Sequence, residues 1–174
     1  MKKTNTRRLA LDAMLAAMYV ALSFVSIKLP NIKLSFDSLP ILVASCLLGP
    51  VDGMSVGLIG SFINQMLTYG FTATTLLWII PAGVRGLMVG LYAKKKGFNM
   101  SVTQTVFIVI LSALVVTALN TFVIYFDSVI FDYYSYALVF GAIIPRIIAG
   151  VLTGLILSAV LPSIVKTLKK KLSI

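Results

Sequence analysis

Long apolar runs broken by short polar stretches organise the whole chain, and they predict six spans, at about residues 9–29, 39–48, 51–69, 75–93, 102–125 and 136–165. An α-helix needs about 20 apolar residues, within a range of roughly 17–25, to cross a bilayer core. Five of the six spans reach that length. The second does not, and its neighbours Pro40, Gly49, Pro50 and Gly53 predict a broken or shallow helix. Irregular backbone at membrane depth survives only where protein or a cavity covers it. The expected fold class is therefore an all-α integral membrane protein, a six-transmembrane-helix bundle forming one domain over residues 1–174.

Composition supports that reading and removes others. The 174 residues are 59% hydrophobic and 11% charged, with a mean hydropathy of +1.03. Soluble domains carry about 25% charged residues, and disordered chains need low hydrophobicity, so both classes are excluded. There is no His and no Glu, and Cys46 is the single cysteine. This excludes His-based metal sites, zinc ribbons and an internal disulfide, so no metal or cofactor is expected. With five Asp as the only carboxylate side chains, almost nothing is available for general acid–base work, and no enzyme is expected.

The net charge of +10 takes its meaning from position. Lys2, Lys3, Arg7 and Arg8 precede the first span, Lys94, Lys95 and Lys96 follow the fourth, and Lys166, Lys169, Lys170 and Lys171 follow the sixth. Six crossings place all of these on one side. Lys28, Lys33, Asp37, Asp127 and Asp132 fall on the other. The positive-inside rule then makes both termini cytoplasmic. No basic stripe lies outside the membrane flanks, so nucleic acid is not an expected partner. The first span is too long for the apolar part of a cleavable signal peptide, and no A-x-A site closes it.

Arg85 and Arg146 are the two cations inside spans. A central Arg costs roughly 2.5–3.5 kcal/mol on insertion scales, so such residues usually face a cavity or a partner. No acidic residue sits at matching depth. Either the two guanidiniums face an anionic ligand, or they snorkel or bond backbone carbonyls. Depth favours the first reading. Asn64, Gln65 and Tyr69, with Trp78, Asn120, Thr117, Thr121 and Tyr125, all fall in the outer half, as do Phe36, Asp37 and Ser38. Arg146 lies ten residues past Tyr136, roughly 15 Å deeper at helical rise. A pore would need polar lining through both halves; this pattern predicts a cup open to the outside. Paired amides, flat aromatic surfaces and two forked cations suit a planar heterocycle carrying acid groups.

Small residues recur at helical spacing. Ala13, Ala17 and Ala21 share one face of the first span, and Gly49/Gly53/Gly57, Gly86/Gly90 and Gly150/Gly154 follow the same rule. Such faces let membrane helices approach closely. The alanine stripe packs either within the chain or against another membrane subunit. No G-x-x-x-x-G-K-[ST] motif is present, and no pair of broken helices marks two transporter halves. A capture protein that borrows energy from a partner fits better than an autonomous pump.

These features resemble the substrate-binding (S) components of energy-coupling-factor (ECF) vitamin transporters. The resemblance covers nearly the whole chain: six helices, cytoplasmic ends, the length and the alanine motif. Ser35 to Ile41, Leu47 to Gly53, Leu67 to Pro81 and Gly141 to Gly150 look most like the folate branch. The resemblance implies high-affinity capture of folate from outside, then association with a transmembrane coupling subunit and two ATPase subunits in a bacterial plasma membrane. The alanine face would dock the coupling subunit. Folate would set its pterin near Trp78, Phe36, Asn64, Gln65 and Asn120, with Asp37 on the pterin amino group and Tyr69 a further substrate-binding residue. Its carboxylates would meet Arg85, Arg146 or Lys33. The alternative ligand is another vitamin, pantothenate, a pyridoxine-type compound or a thiamine precursor. A stand-alone channel or carrier is a third reading.

Overall fold

The computed structural model describes residues 6–29 and 32–172, and the side chains of all of these but 26–34 and 172. Six α-helices make the body: α1 (Thr6–Phe24), α2 (Ser38–Leu47), α3 (Pro50–Tyr69), α4 (Thr75–Lys95), α5 (Val102–Ile130) and α6 (Ile143–Leu172). Two strands, β1 (Ser26–Leu29) and β2 (Ile32–Ser35), lie between α1 and α2. A single π-helical turn, Ala137–Gly141, precedes α6. By length and composition α4, α5 and the 137–171 segment are apolar enough to cross a membrane.

Two expectations are corrected here. The first apolar span does not stay helical to residue 29. Ser26–Leu29 pairs antiparallel with Ile32–Ser35, Lys28 opposite Lys33. Both segments alternate polar and apolar residues, the two-residue period of a strand. The all-α expectation therefore misses one antiparallel strand pair. The second apolar span is not broken. α2 is a continuous helix, and every one of its residues except Leu39 is buried. Pro40 sits in the first turn, where backbone N–H groups have no partner inside the helix anyway. Ten residues rise only about 15 Å, half of the ~30 Å hydrocarbon core. The chain enters the bundle just before α2, so Asp37 and Ser38 line its interior. Gly49, at φ 118°, makes the sharp reversal into Pro50 at the start of α3.

Leu42, Val43, Cys46 and Leu47 of α2 pack with Val89, Ile108, Val109, Leu157 and Leu161 in the main core. A second cluster joins Tyr19, Ile41, Ala44 and Val56. α3 and α4 pack backbone to backbone. A Cβ at Gly86 would fall 2.1 Å from the carbonyl oxygen of Gly53, and one at Gly90 would fall 2.3 Å from Pro50 Cα. Ser45 Oγ seals this seam by donating to the Gly86 carbonyl at 2.9 Å.

The charged ends segregate. Arg8 Nε donates to Asp52 Oδ1 at 2.6 Å and Arg8 Nη2 to the Leu48 carbonyl at 2.5 Å. Lys169 Nζ donates to the Phe98 carbonyl. These contacts draw the starts of α1 and α3, the α4–α5 turn and the end of α6 to one basic pole. Asp127 and Tyr133 lie at the opposite pole. The alanine stripe points away from the body: Ala13, Ala17 and Ala21 are all exposed, while the buried face of α1 carries Ala16 and Tyr19. Packing within the chain is therefore not what the stripe does.

Candidate functional site

A cavity of about 290 Å³ opens in the half of the bundle away from the basic pole. Three helices line it with one periodic face each. From α4 come Trp78, Pro81, Ala82 and Arg85, from α5 Val109, Ala113, Val116, Thr117 and Asn120, and from α6 Arg146, Ala149, Gly150, Thr153, Gly154 and Leu157. Spacings of three, four and seven residues keep each set on one side of its helix. Small residues on α5 and α6 leave the space; Ser35, Asp37 and Ser38 close it from the α2 side.

Arg85 and Arg146 thus share one cavity. Arg85 Nη1 donates to Ser38 Oγ, and Ser38 Oγ in turn donates to Asp37 Oδ1 at 3.2 Å. Arg85 Nε is sealed from solvent and has no hydrogen-bond partner. Among the described residues the one ion pair is Arg8–Asp52, far from this site, so neither cavity guanidinium is paired with a carboxylate. Arg146 differs from Arg85. Its Nη1 donates to the Val139 carbonyl at 3.1 Å and its Nη2 to the Leu138 carbonyl at 2.8 Å. Those acceptors belong to the π turn. Arg146 therefore combines both sequence readings: it braces the turn through main-chain oxygens while it lines the cavity. The polar balance is two cations against Asp37, with the Asn120 amide and the Thr117, Thr153 and Ser61 hydroxyls around them.

The other candidates fall elsewhere. Asn64 Oδ1 accepts from Ser23 Oγ at 2.7 Å, so it ties α3 to α1 and does not line the cavity. Phe36 packs against the main core. The side chain of Lys33 lies outside the described residues. Gln65 and Tyr69 line a separate vestibule of about 470 Å³ with Thr72, Asp127, Phe131 and Tyr133, and Trp78 lines both spaces. Asp127 accepts from the Thr74 hydroxyl, from Trp78 Nε1 at 3.2 Å and from the Tyr133 phenol. The hydrogen bond to Asp127 pushes the Tyr133 phenol up to about 12. The lining residues Tyr19, Ser61 and Thr153, and the Asp127 hub, carry no local sequence signal: each gains its position from contacts across helices.

The geometry describes a binding site rather than a reaction centre, and kinship agrees. Residues 3–170 match the family described as ECF-type riboflavin transporter, S component. The chain belongs to this family. The family is one of transporter S components, not of enzymes. Among curated relatives, a UPF0397 protein of Lactobacillus johnsonii is 34% identical over 93 residues, covering 52% of this chain and 49% of that protein. A UPF0397 protein of Streptococcus pneumoniae (strain CGSP14) is 37% identical over 82 residues, 45% of this chain and 43% of its own. The chain thus spans about half the length of the curated relatives it matches or a little less. Two solved structures share the fold. The S component of a bacterial ECF transporter superposes with a TM-score of 0.68 at 21% identity, covering 97% of this chain and 99% of that one. The S component for biotin from an ECF-type ABC transporter gives 0.62 at 18% identity, covering 92% and 93%.

Proposed function

We propose that this S component captures folate. The observation that carries the reading is the convergence of Arg85 and Arg146 on one cavity that also holds Trp78 and Asn120. Carboxylates of the glutamyl tail lie against the guanidiniums, where Arg85 Nε has no other partner. The pterin stacks at Trp78, with Asn120 and Asp37 reading its amide edge. Small-molecule sites run from about 300 to 1,000 Å³, so the cavity alone is at the small end, and the vestibule across Trp78 supplies the remaining room. Six crossings put the basic pole in the cytoplasm of a bacterial cell and the cavity outside. The exposed Ala13, Ala17 and Ala21 face docks the transmembrane coupling subunit, which brings two ATPase subunits.

The family description favours a second reading, riboflavin, which is flat but uncharged. Isothermal titration calorimetry on the detergent-solubilised protein separates the two. Saturable folate binding that is lost in the Arg85→Met/Arg146→Met double variant supports the folate reading. Riboflavin binding that survives the double variant overturns it.

A further inference from the structure

Trp78 is the wall between the two cavities. The residue lines both the space that holds Arg85 and Arg146 and the outer vestibule. What holds the ring there is Asp127. One carboxylate oxygen accepts from Trp78 Nε1 at 3.2 Å and from the Thr74 hydroxyl; the other accepts the Tyr133 phenol. A carboxylate offers about four acceptor positions, and three are filled. No cation pairs with it among the described residues. Its place is unfavourable for a charge: Asp127 lies in the last turn of α5, at the negative end of the helix dipole. A brace between helix ends needs no charge. A charge does strengthen each hydrogen bond it accepts, roughly twofold over a neutral pair.

We propose that Asp127 is a positioning residue that fastens Trp78 across the passage from vestibule to cavity. Release of the Asp127–Trp78 bond opens the cavity to a ligand that arrives through the vestibule. The kinetic half of this statement rests on the cavity being the ligand site; the half about the indole does not.

Trp78 is the single tryptophan, so intrinsic fluorescence reports this one ring. The test uses the full chain in detergent, comparing wild type with Asp127→Asn, Asp127→Ala and Tyr133→Phe, all verified as folded by size-exclusion chromatography. Without ligand, acrylamide quenching rises and emission shifts red in the order wild type, Asp127→Asn, Asp127→Ala, because the asparagine oxygen still accepts from the indole. Tyr133→Phe matches wild type. Loss of a bond to a charged acceptor raises the open population roughly tenfold or more, so in stopped-flow mixing with folate both association and dissociation speed up by about that factor in Asp127→Ala, while Kd moves far less. Equal quenching in wild type and both Asp127 variants overturns the proposal. So does a Tyr133→Phe shift as large as that of Asp127→Ala, which would make the whole loop the cause. If wild type binds no folate, the ligand reading fails and the quenching series still decides whether Asp127 fastens the partition.

Discussion

Replacing Arg85 with Met separates a binding role from a bracing role, because the two predict opposite balances of stability and affinity. Among the described residues Arg85 makes one hydrogen bond, to Ser38 Oγ, and leaves Nε sealed off without a partner. Losing a bond that involves a charged group costs about 1.5–3 kcal/mol, and an unsatisfied buried polar group costs about 1–3 kcal/mol. The substitution removes both at once, so they nearly cancel. Ser38 is not orphaned, since its hydroxyl still donates to Asp37. Met also fills irregular apolar space well. The expected change in unliganded stability is within about 1 kcal/mol, with the gain slightly favoured. Binding has no such compensation. A lost guanidinium–carboxylate contact of about 1.5–3 kcal/mol weakens Kd roughly 10- to 150-fold. Thermal unfolding followed by Trp78 emission gives the first quantity and calorimetric titration with folate gives the second. A variant that unfolds many degrees lower yet keeps its affinity would refute the reasoning and make Arg85 a brace.

Four further outcomes follow from the geometry. Gly86→Ala drives a methyl onto the Gly53 carbonyl; overpacking costs about 1–3 kcal/mol or more, so the purified yield or melting temperature drops sharply, whereas Gly141→Ala, whose added methyl meets only Ala137 Cβ at 3.8 Å, does not produce the same packing clash. Ala17→Trp on the exposed stripe leaves melting temperature and ligand affinity unchanged but abolishes uptake in cells and co-purification of a coupling subunit. Arg146→Gln weakens folate binding less than Arg85→Met, since Arg146 already spends two donors on the π turn, and a larger loss than that of Arg85→Met would reverse the ranking. Tyr133 is held up to about 12 by its bond to Asp127, against an ordinary value near 10. The bonded form is the protonated one, so its contribution is complete below pH 10 and fades as pH climbs through 12; the melting temperature of Tyr133→Phe therefore falls less steeply over that window.

Much of the bundle could be read from the chain because its signals are local. The edges of α3 and α4 lie at Pro50, Tyr69, Thr75 and the lysine run, where turn chemistry and charge coincide. The arginine cavity is foreshadowed by the shared depth of Arg85, Arg146, Trp78 and Asn120, and spacing adds that Trp78 and Arg85 fall on one face of α4. The failures are non-local. A ten-residue apolar segment looks like a truncated span until neighbours bury it on every side, as they do α2. The strand pair Ser26–Leu29 and Ile32–Ser35 begins inside an apolar run whose period changes from helical to two. Asn64 has the chemistry of a ligand contact, but Ser23, 41 residues away in sequence, claims it. Asp127 acquires its role from Thr74, Trp78 and Tyr133, of which two lie about fifty residues earlier, and no pattern in the α5 sequence marks it. The alanine stripe was ambiguous because periodicity shows that residues share a face without showing what that face meets.

Mass spectrometry of the small molecule that co-purifies with the detergent-solubilised protein tests the central reading most directly. An anionic heteroaromatic compound is expected, folate or a close derivative, retained by wild type and lost from the Arg85→Met/Arg146→Met double variant. An uncharged flavin retained equally by both would contradict it.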